Sequence, residues 1–182
     1  MFRRRGQRMF GGMGRPNIPP MLQRANQLMA AGDFAGAASA YAQLAQGAET
    51  RFPQRAPFLF MEAGRAAILN GQTKPGMAHI RRGLEILSAQ GRSVRMQAFG
   101  QRAVEELKAR GLTAEAEEIA GMLAGIRPAD SLPSSQPAPA RKPILPTHCP
   151  SCGGAVRPDE VEWLDEITAE CAYCGSPLRE DS

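Results

Sequence analysis

The sequence predicts a mainly α protein, built of helical hairpins and closed by a small C-terminal β segment folded around a metal. Three observations carry that expectation. Aromatic residues make up only 5% of the 182 residues, while Ala and Gly are abundant. This suits a helical core of Ala, Leu and Met better than a sandwich of β-branched and aromatic side chains. Glycines punctuate residues 21–125 at near-regular intervals. All four cysteines lie between positions 149 and 174, as two C-x2-C pairs.

Residues 1–19 form a basic arm, "MFRRRGQRMFGGMGRPNIP", with arginines at 3, 4, 5, 8 and 15 and no acid. It lacks the apolar run of a secretory signal, and no stretch approaches the roughly 18 apolar residues of a membrane span. An organellar transit peptide is also Arg-rich, but the first Ser here is Ser39. A cytoplasmic protein is therefore expected. The net charge of +4 is unevenly spread, with residues 1–20 at +5 and residues 147–182 at −6. Arg-rich residues 1–15, with Phe2 and Phe10 among them, offer a possible contact for RNA or an anionic membrane surface; their simpler role is a solvated tail.

Residues 20–126 read as helix. Helices are expected near 20–31, 34–47, 56–70, 74–90, 93–110 and 113–124, with Thr73 and Thr113 as N-caps and Pro75 in a first turn. Gly32, Gly71 and Gly111 are spaced 39 and 40 apart. Small residues follow five positions later (Ala37, Gly76, Ala116), then Tyr41, Ile80 and Ala120 at nine, and Leu44, Gly83 and Leu123 at twelve. Small residues at such points let helices approach, and larger apolar ones fill the seam. The stretch "LMAAGDFAGAASAYAQLA" (28–45) resembles a tetratricopeptide repeat, and the two later units are degenerate relatives of it. An irregular helical bundle with glycine turns is the plainer alternative.

Residues 127–146, "RPADSLPSSQPAPARKPILP", hold six prolines. Such a segment is expected to be an extended linker rather than part of a core.

Cys149, Cys152, Cys171 and Cys174 then form C-x2-C…C-x2-C with 18 residues between the pairs. That spacing suits a four-thiolate zinc site, in which each tight turn aims two sulfurs to one side. "CPSCGGAVR" (149–157) and "CAYCGSPLR" (171–179) match at an offset of 22, with Gly153 and Gly175 after each second cysteine. Between them Val161 and Trp163 alternate with Glu160 and Glu162, and Ile167 with Glu166 and Thr168, a hairpin period with one face over the metal turns. Residues 147–182 resemble a zinc ribbon on these features.

An iron site of the same ligands shares the spacing. A redox dithiol expects one pair at a helix start in a larger α/β fold, and disulfides need an export signal. His148 is a neighbour of the site rather than a ligand. Four thiolates close the shell, so the expected Zn2+ is structural.

The ribbon's eight acids oppose phosphate binding, and His79 has no metal-ligand partner at helical spacing. No phosphate-binding, nucleophile-elbow or zinc-protease motif appears. The expectation is a non-catalytic adaptor or scaffold that binds protein partners through its helical hairpins. The alternative is a nucleic-acid-associated factor using the arginine arm.

Overall fold

The computed structural model of the protein describes residues 20–125, 143–158, 161–163, 167–174 and 176–179. Six helices come first: α1 (Pro20–Ala31), α2 (Phe34–Arg51), α3 (Ala56–Leu69), α4 (Thr73–Ala89), α5 (Ser93–Ala109) and α6 (Thr113–Ala124). Three short strands follow: β1 (Glu162–Trp163), β2 (Thr168–Glu170) and β3 (Pro177–Arg179). No helix among the described residues is long and apolar enough to cross a membrane. The basic arm lies outside the described residues.

Four of the five interhelical connections share one device. Gly32, Gly71, Gly91 and Gly111 each take a positive φ of 68–80° at the end of a helix. The glycine N–H returns to the carbonyl three residues back, and the next N–H to the carbonyl five back. At the first turn these are Gly32 N–H to Met29 O (3.2 Å) and Asp33 N–H to Leu28 O (3.0 Å). A side chain at such a φ costs roughly 1–2 kcal/mol, so glycine is the natural occupant. The closure is so tight that the residue after the glycine already precedes the next helix. The expected N-caps are therefore displaced by one: Gln72 and Leu112 hold the cap position, and Thr73 and Thr113 are the first helical residues. Asp33 does cap α2, its Oδ1 accepting from Gly36 N–H at 2.9 Å.

Polar and aromatic contacts between alternate helices arrange the array in two layers. Glu49 of α2 pairs with Arg82 of α4 at 2.7 Å, and Arg81 of α4 with Glu118 of α6. On the other side Arg65 of α3 pairs with Glu106 of α5 at 3.3 Å, and the rings of Phe58 and Phe99 lie 5.0 Å apart. Even-numbered helices thus neighbour one another in one layer, and α3 and α5 in the other.

Between layers, α3 and α4 run antiparallel at very close approach. A Cβ on Gly64 would stand 2.7 Å from the Gly76 carbonyl, and one on Gly76 would stand 2.9 Å from the Gly64 carbonyl. Ala37, Tyr41, Ile80, Ala116 and Leu123 are buried as their spacing predicts. Ala120 is not: the 3.6-residue period places Ile119, fully buried, on the inner face of α6 instead.

The C-terminal strands form a three-stranded antiparallel sheet in the order β1-β2-β3. Trp163 pairs with Ala169, and Ala169 with Leu178. The hairpin expected between the cysteine pairs is present, but Ile167 is 60% exposed and does not cover the cysteine turns; Thr168, Ala169 and Leu178 are the buried side chains of the sheet. Residues 127–142 of the expected linker lie outside the described residues. Its last part is packed, with Pro143 and Leu145 buried. Leu145, the four cysteines and Leu178 belong to one apolar cluster with the helical core.

A four-cysteine centre seated on the helices

Each cysteine pair sits on a turn built from the same hydrogen bonds. In the first, Cys149 N–H donates to Gly154 O at 2.8 Å; in the second, Cys171 N–H donates to Ser176 O at 2.9 Å. His148 bridges Ala155 as Glu170 pairs with Pro177. All these partners are related by the offset of 22 seen in the sequence. Gly153 takes φ +75° and returns its N–H to Cys149 O at 2.8 Å, so the chain reverses directly beneath its own cysteines.

The two turns bring all four expected ligands together. The Sγ atoms of Cys149, Cys152, Cys171 and Cys174 lie within 4.8 Å of one another, and all four residues are buried. None of them forms a disulfide. The closest pairs cross between turns, Cys149–Cys174 at 3.7 Å and Cys152–Cys171 at 3.9 Å. A tetrahedron of thiolates about 2.3 Å from a central zinc has edges of about 3.8 Å, so the separations fit an ion of that size.

Second contacts point the same way. Gly154 N–H donates to Cys152 Sγ at 3.4 Å, and Ser176 Oγ lies 3.1 Å from Cys174 Sγ, where a hydroxyl can donate to a thiolate. The crowded thiols split in proton affinity. The hydrogen bond with Cys152 leads in lowering Cys149, and the bond with Cys149 leads in raising Cys152. Sulfurs this close cannot all ionise without a cation between them. The four buried cysteines can hold a metal ion such as zinc.

The centre is anchored to the helices by polar contacts, those of Asn26 buried and the others nearer the surface. Asn26 of α1 donates from Nδ2 to the Cys152 carbonyl at 2.6 Å, and its Oδ1 accepts from Tyr41 OH of α2. Gln23 Nε2 reaches the Ser151 carbonyl at 3.1 Å. In the second turn Tyr173 OH donates to Glu62 Oε1 of α3 at 3.0 Å. Burial, then the nearby Glu62 charge, holds both phenols protonated above the ordinary tyrosine range. Tyr41 and Tyr173 are the chain's two tyrosines, and each helps clamp one cysteine turn.

A groove opens beside this seam. Its floor is Met61 of α3, Ile80 of α4, and Phe99 and Leu107 of α5; Arg65, Arg102, Arg110 and, from the cysteine segment, Arg157 stand around it. His148 is exposed and contacts Thr147 through Nδ1 at 3.2 Å, beside the sulfurs rather than among them. His79 stacks on Phe60, its ring centroid 5.9 Å away, and desolvation lowers its pKa.

Asn26, Glu62, Tyr173, Arg65, Arg102 and Arg110 were not singled out by spacing; of the groove's arginines only Arg157 was, as the matched end of the first cysteine turn. A polar Asn on the apolar stripe of a helix was the available signal, since a buried amide needs partners.

Comparison with family models, with curated proteins and with solved structures finds no match to this chain.

Proposed function

We propose that the protein is a non-catalytic adaptor: a tetratricopeptide-like helical array that engages a protein partner and carries a zinc ribbon stapled by one structural Zn2+. Repeat stacking is supported by the separations of the contacts between successive units. Arg82 bonds Glu49 across 33 positions, Gln90 bonds Pro53 across 37 and Arg92 bonds Gln54 across 38. These approach the 39–40 glycine spacing. A structural rather than catalytic ion is supported by the donor set, because four buried thiolates leave no position for water or substrate.

The observation that carries the adaptor reading is the groove itself, a concave surface with an apolar floor and a charged rim on the layer holding α3 and α5. Such surfaces on stacked helices suit extended polypeptide segments. The test is affinity capture with the intact protein from its native host, followed by mass spectrometry in rising salt. A protein partner retained in stoichiometric amount at about 200 mM salt is expected, since an apolar floor is insensitive to screening. Recovery of nucleic acid alone, lost steeply between about 50 and 200 mM, would assign the arginine arm the leading role instead.

A further inference from the structure

We propose that one end of the helical array docks on an anionic membrane surface, with Phe52 and Val94 seated at the headgroup boundary. Such docking is independent of the adaptor reading, which concerns the groove rather than the ends of the helices.

Short connections make successive helices antiparallel, so the starts of α1, α3 and α5 share one end with the finishes of α2, α4 and α6. At this end the α2–α3 connection (residues 52–55) adjoins the α4–α5 connection (residues 90–92). Gln90 Nε2 donates to the Pro53 carbonyl at 2.7 Å, and Arg92 to the Gln54 carbonyl at 3.0 Å. On this braced end Phe52 is 57% exposed and Val94 77%, and no other large apolar side chain between residues 20 and 125 is as open to solvent. A solitary exposed apolar side chain needs no explanation, but two on connections bonded to each other offer apolar surface at one place.

Charge selects the kind of surface. Residues 50–61 and 86–104 contain no Asp or Glu. Arg92 and Arg95 are engaged within the chain, each over the Phe58 ring. Arg51 and Arg55, on either side of Phe52, supply the charge. The Arg55 guanidinium lies 5.8 Å from the Phe52 ring centroid, a contact that leaves its positive charge in place. The opposite end differs on both counts. There Asp33, Glu115 and Glu117 stand against Lys74, Lys108 and Arg110, and no large apolar side chain is exposed among the described residues. The array is polarised end to end. Residues 1–20, with five arginines and no acid, run into α1 at the cationic end.

The aliphatic member of the pair decides between anionic surfaces. Phe52 can stack on a base, but Val94 has no flat face to give a nucleic acid. At a membrane both side chains gain by entering the acyl boundary, while the arginines beside them meet anionic headgroups.

Vesicle co-sedimentation of the intact, zinc-loaded protein tests this. The probes are vesicles of phosphatidylcholine, vesicles in which about a third of that lipid is replaced by phosphatidylserine, and a labelled uridine oligonucleotide. Saturable binding to the anionic vesicles alone is expected. The double variant Phe52→Gln/Val94→Gln should weaken it about tenfold, and Arg51→Glu should weaken it about threefold or more. Circular dichroism should be unchanged in both, because all three side chains are exposed. Replacing Arg3, Arg4, Arg5 and Arg8 by Gln separates the array from the arm. Binding that survives this change and still falls about tenfold with the double variant supports the array end. Loss of all binding with the arm variant removes the array end from the role. No binding to either vesicle, equal binding to both, indifference to the double variant, or binding of the oligonucleotide alone overturns the proposal.

Discussion

Asn26 is the residue on which most of the seam converges, because a single amide serves two clients. It gives a proton to the Cys152 carbonyl and receives one from Tyr41. Asn26→Leu keeps the volume but strands both, and buried groups left without partners cost about 1–3 kcal/mol each. A fall in the urea midpoint with little change in slope is expected, together with weaker metal retention, since Cys152 loses its backbone anchor. Cys152→Ser should go further and abolish binding of the single zinc ion. Elemental analysis of the purified variant is the measurement, and an undiminished zinc content would exclude Cys152 as a ligand. His79 offers a test by pH. Its folded pKa lies below the ordinary 6.5 because burial disfavours the cation. The unfolded chain therefore takes up the proton first as pH falls, and the stability due to neutral His79 is present above about 6.5 and is lost below it. Proton NMR should place the His79 midpoint below 6.5, and His79→Phe should flatten the stability profile in that window.

Between elements, the glycines divide into two kinds with opposite responses to alanine. Gly64 and Gly76 face each other across α3 and α4, where an added methyl meets backbone within 3 Å. Gly76→Ala should therefore destabilise by about 1–3 kcal/mol through forced separation of the helices, despite the better helix propensity of Ala. Gly47 lies within α2 with nothing near its would-be Cβ. There the same exchange should stabilise by about 0.5–1 kcal/mol. Thermal melts of the two variants decide it, and shifts of the same sign would contradict the packing described. The contrast also marks where the sequence was informative. Gly32, Gly71 and Gly111 announced themselves by regular spacing, while Gly91 falls outside that spacing although it makes the same turn; helix boundaries followed to within a few residues. The cysteine pairs and their matched halves were legible because metal geometry restricts spacing so tightly. Ala120 was misplaced because, between the buried Ala116 and Leu123, a helical turn can present either the third or the fourth residue inward, and Ile119 is the side chain that points inward. Thr73 and Thr113 were assigned one position late because propensity alone does not register how closely the glycine turn folds back. The docking of the cysteine segment could not be read at all: Asn26 and Cys152 are 126 positions apart, and no local pattern encodes such a pairing.

At the scale of the whole molecule, the four-cysteine centre and the helices share one apolar cluster, so removing a metal bound by those cysteines should be felt beyond their two turns. A chelator is expected to raise hydrogen exchange in α1 and α3 as well as in residues 147–179, while α6 stays protected. Uniform protection of all six helices after chelation would mean that the docked segment contributes nothing to the array. The same docking has a consequence in time. Helices and glycine turns form through contacts a few positions apart, as do the two cysteine turns, each closed by a hydrogen bond spanning five residues. Joining them means closing a loop of more than a hundred residues, whose entropy must be met before any contact rewards it. Docking should thus be the last step of folding. The chain carries one tryptophan, Trp163, in β1 and half-buried, so the two stages have separate reporters. In rapid-mixing refolding with zinc present, helical circular dichroism should recover first and Trp163 fluorescence afterwards. Seen as a history rather than an architecture, the protein is a helical stack that waits for its own far end to arrive.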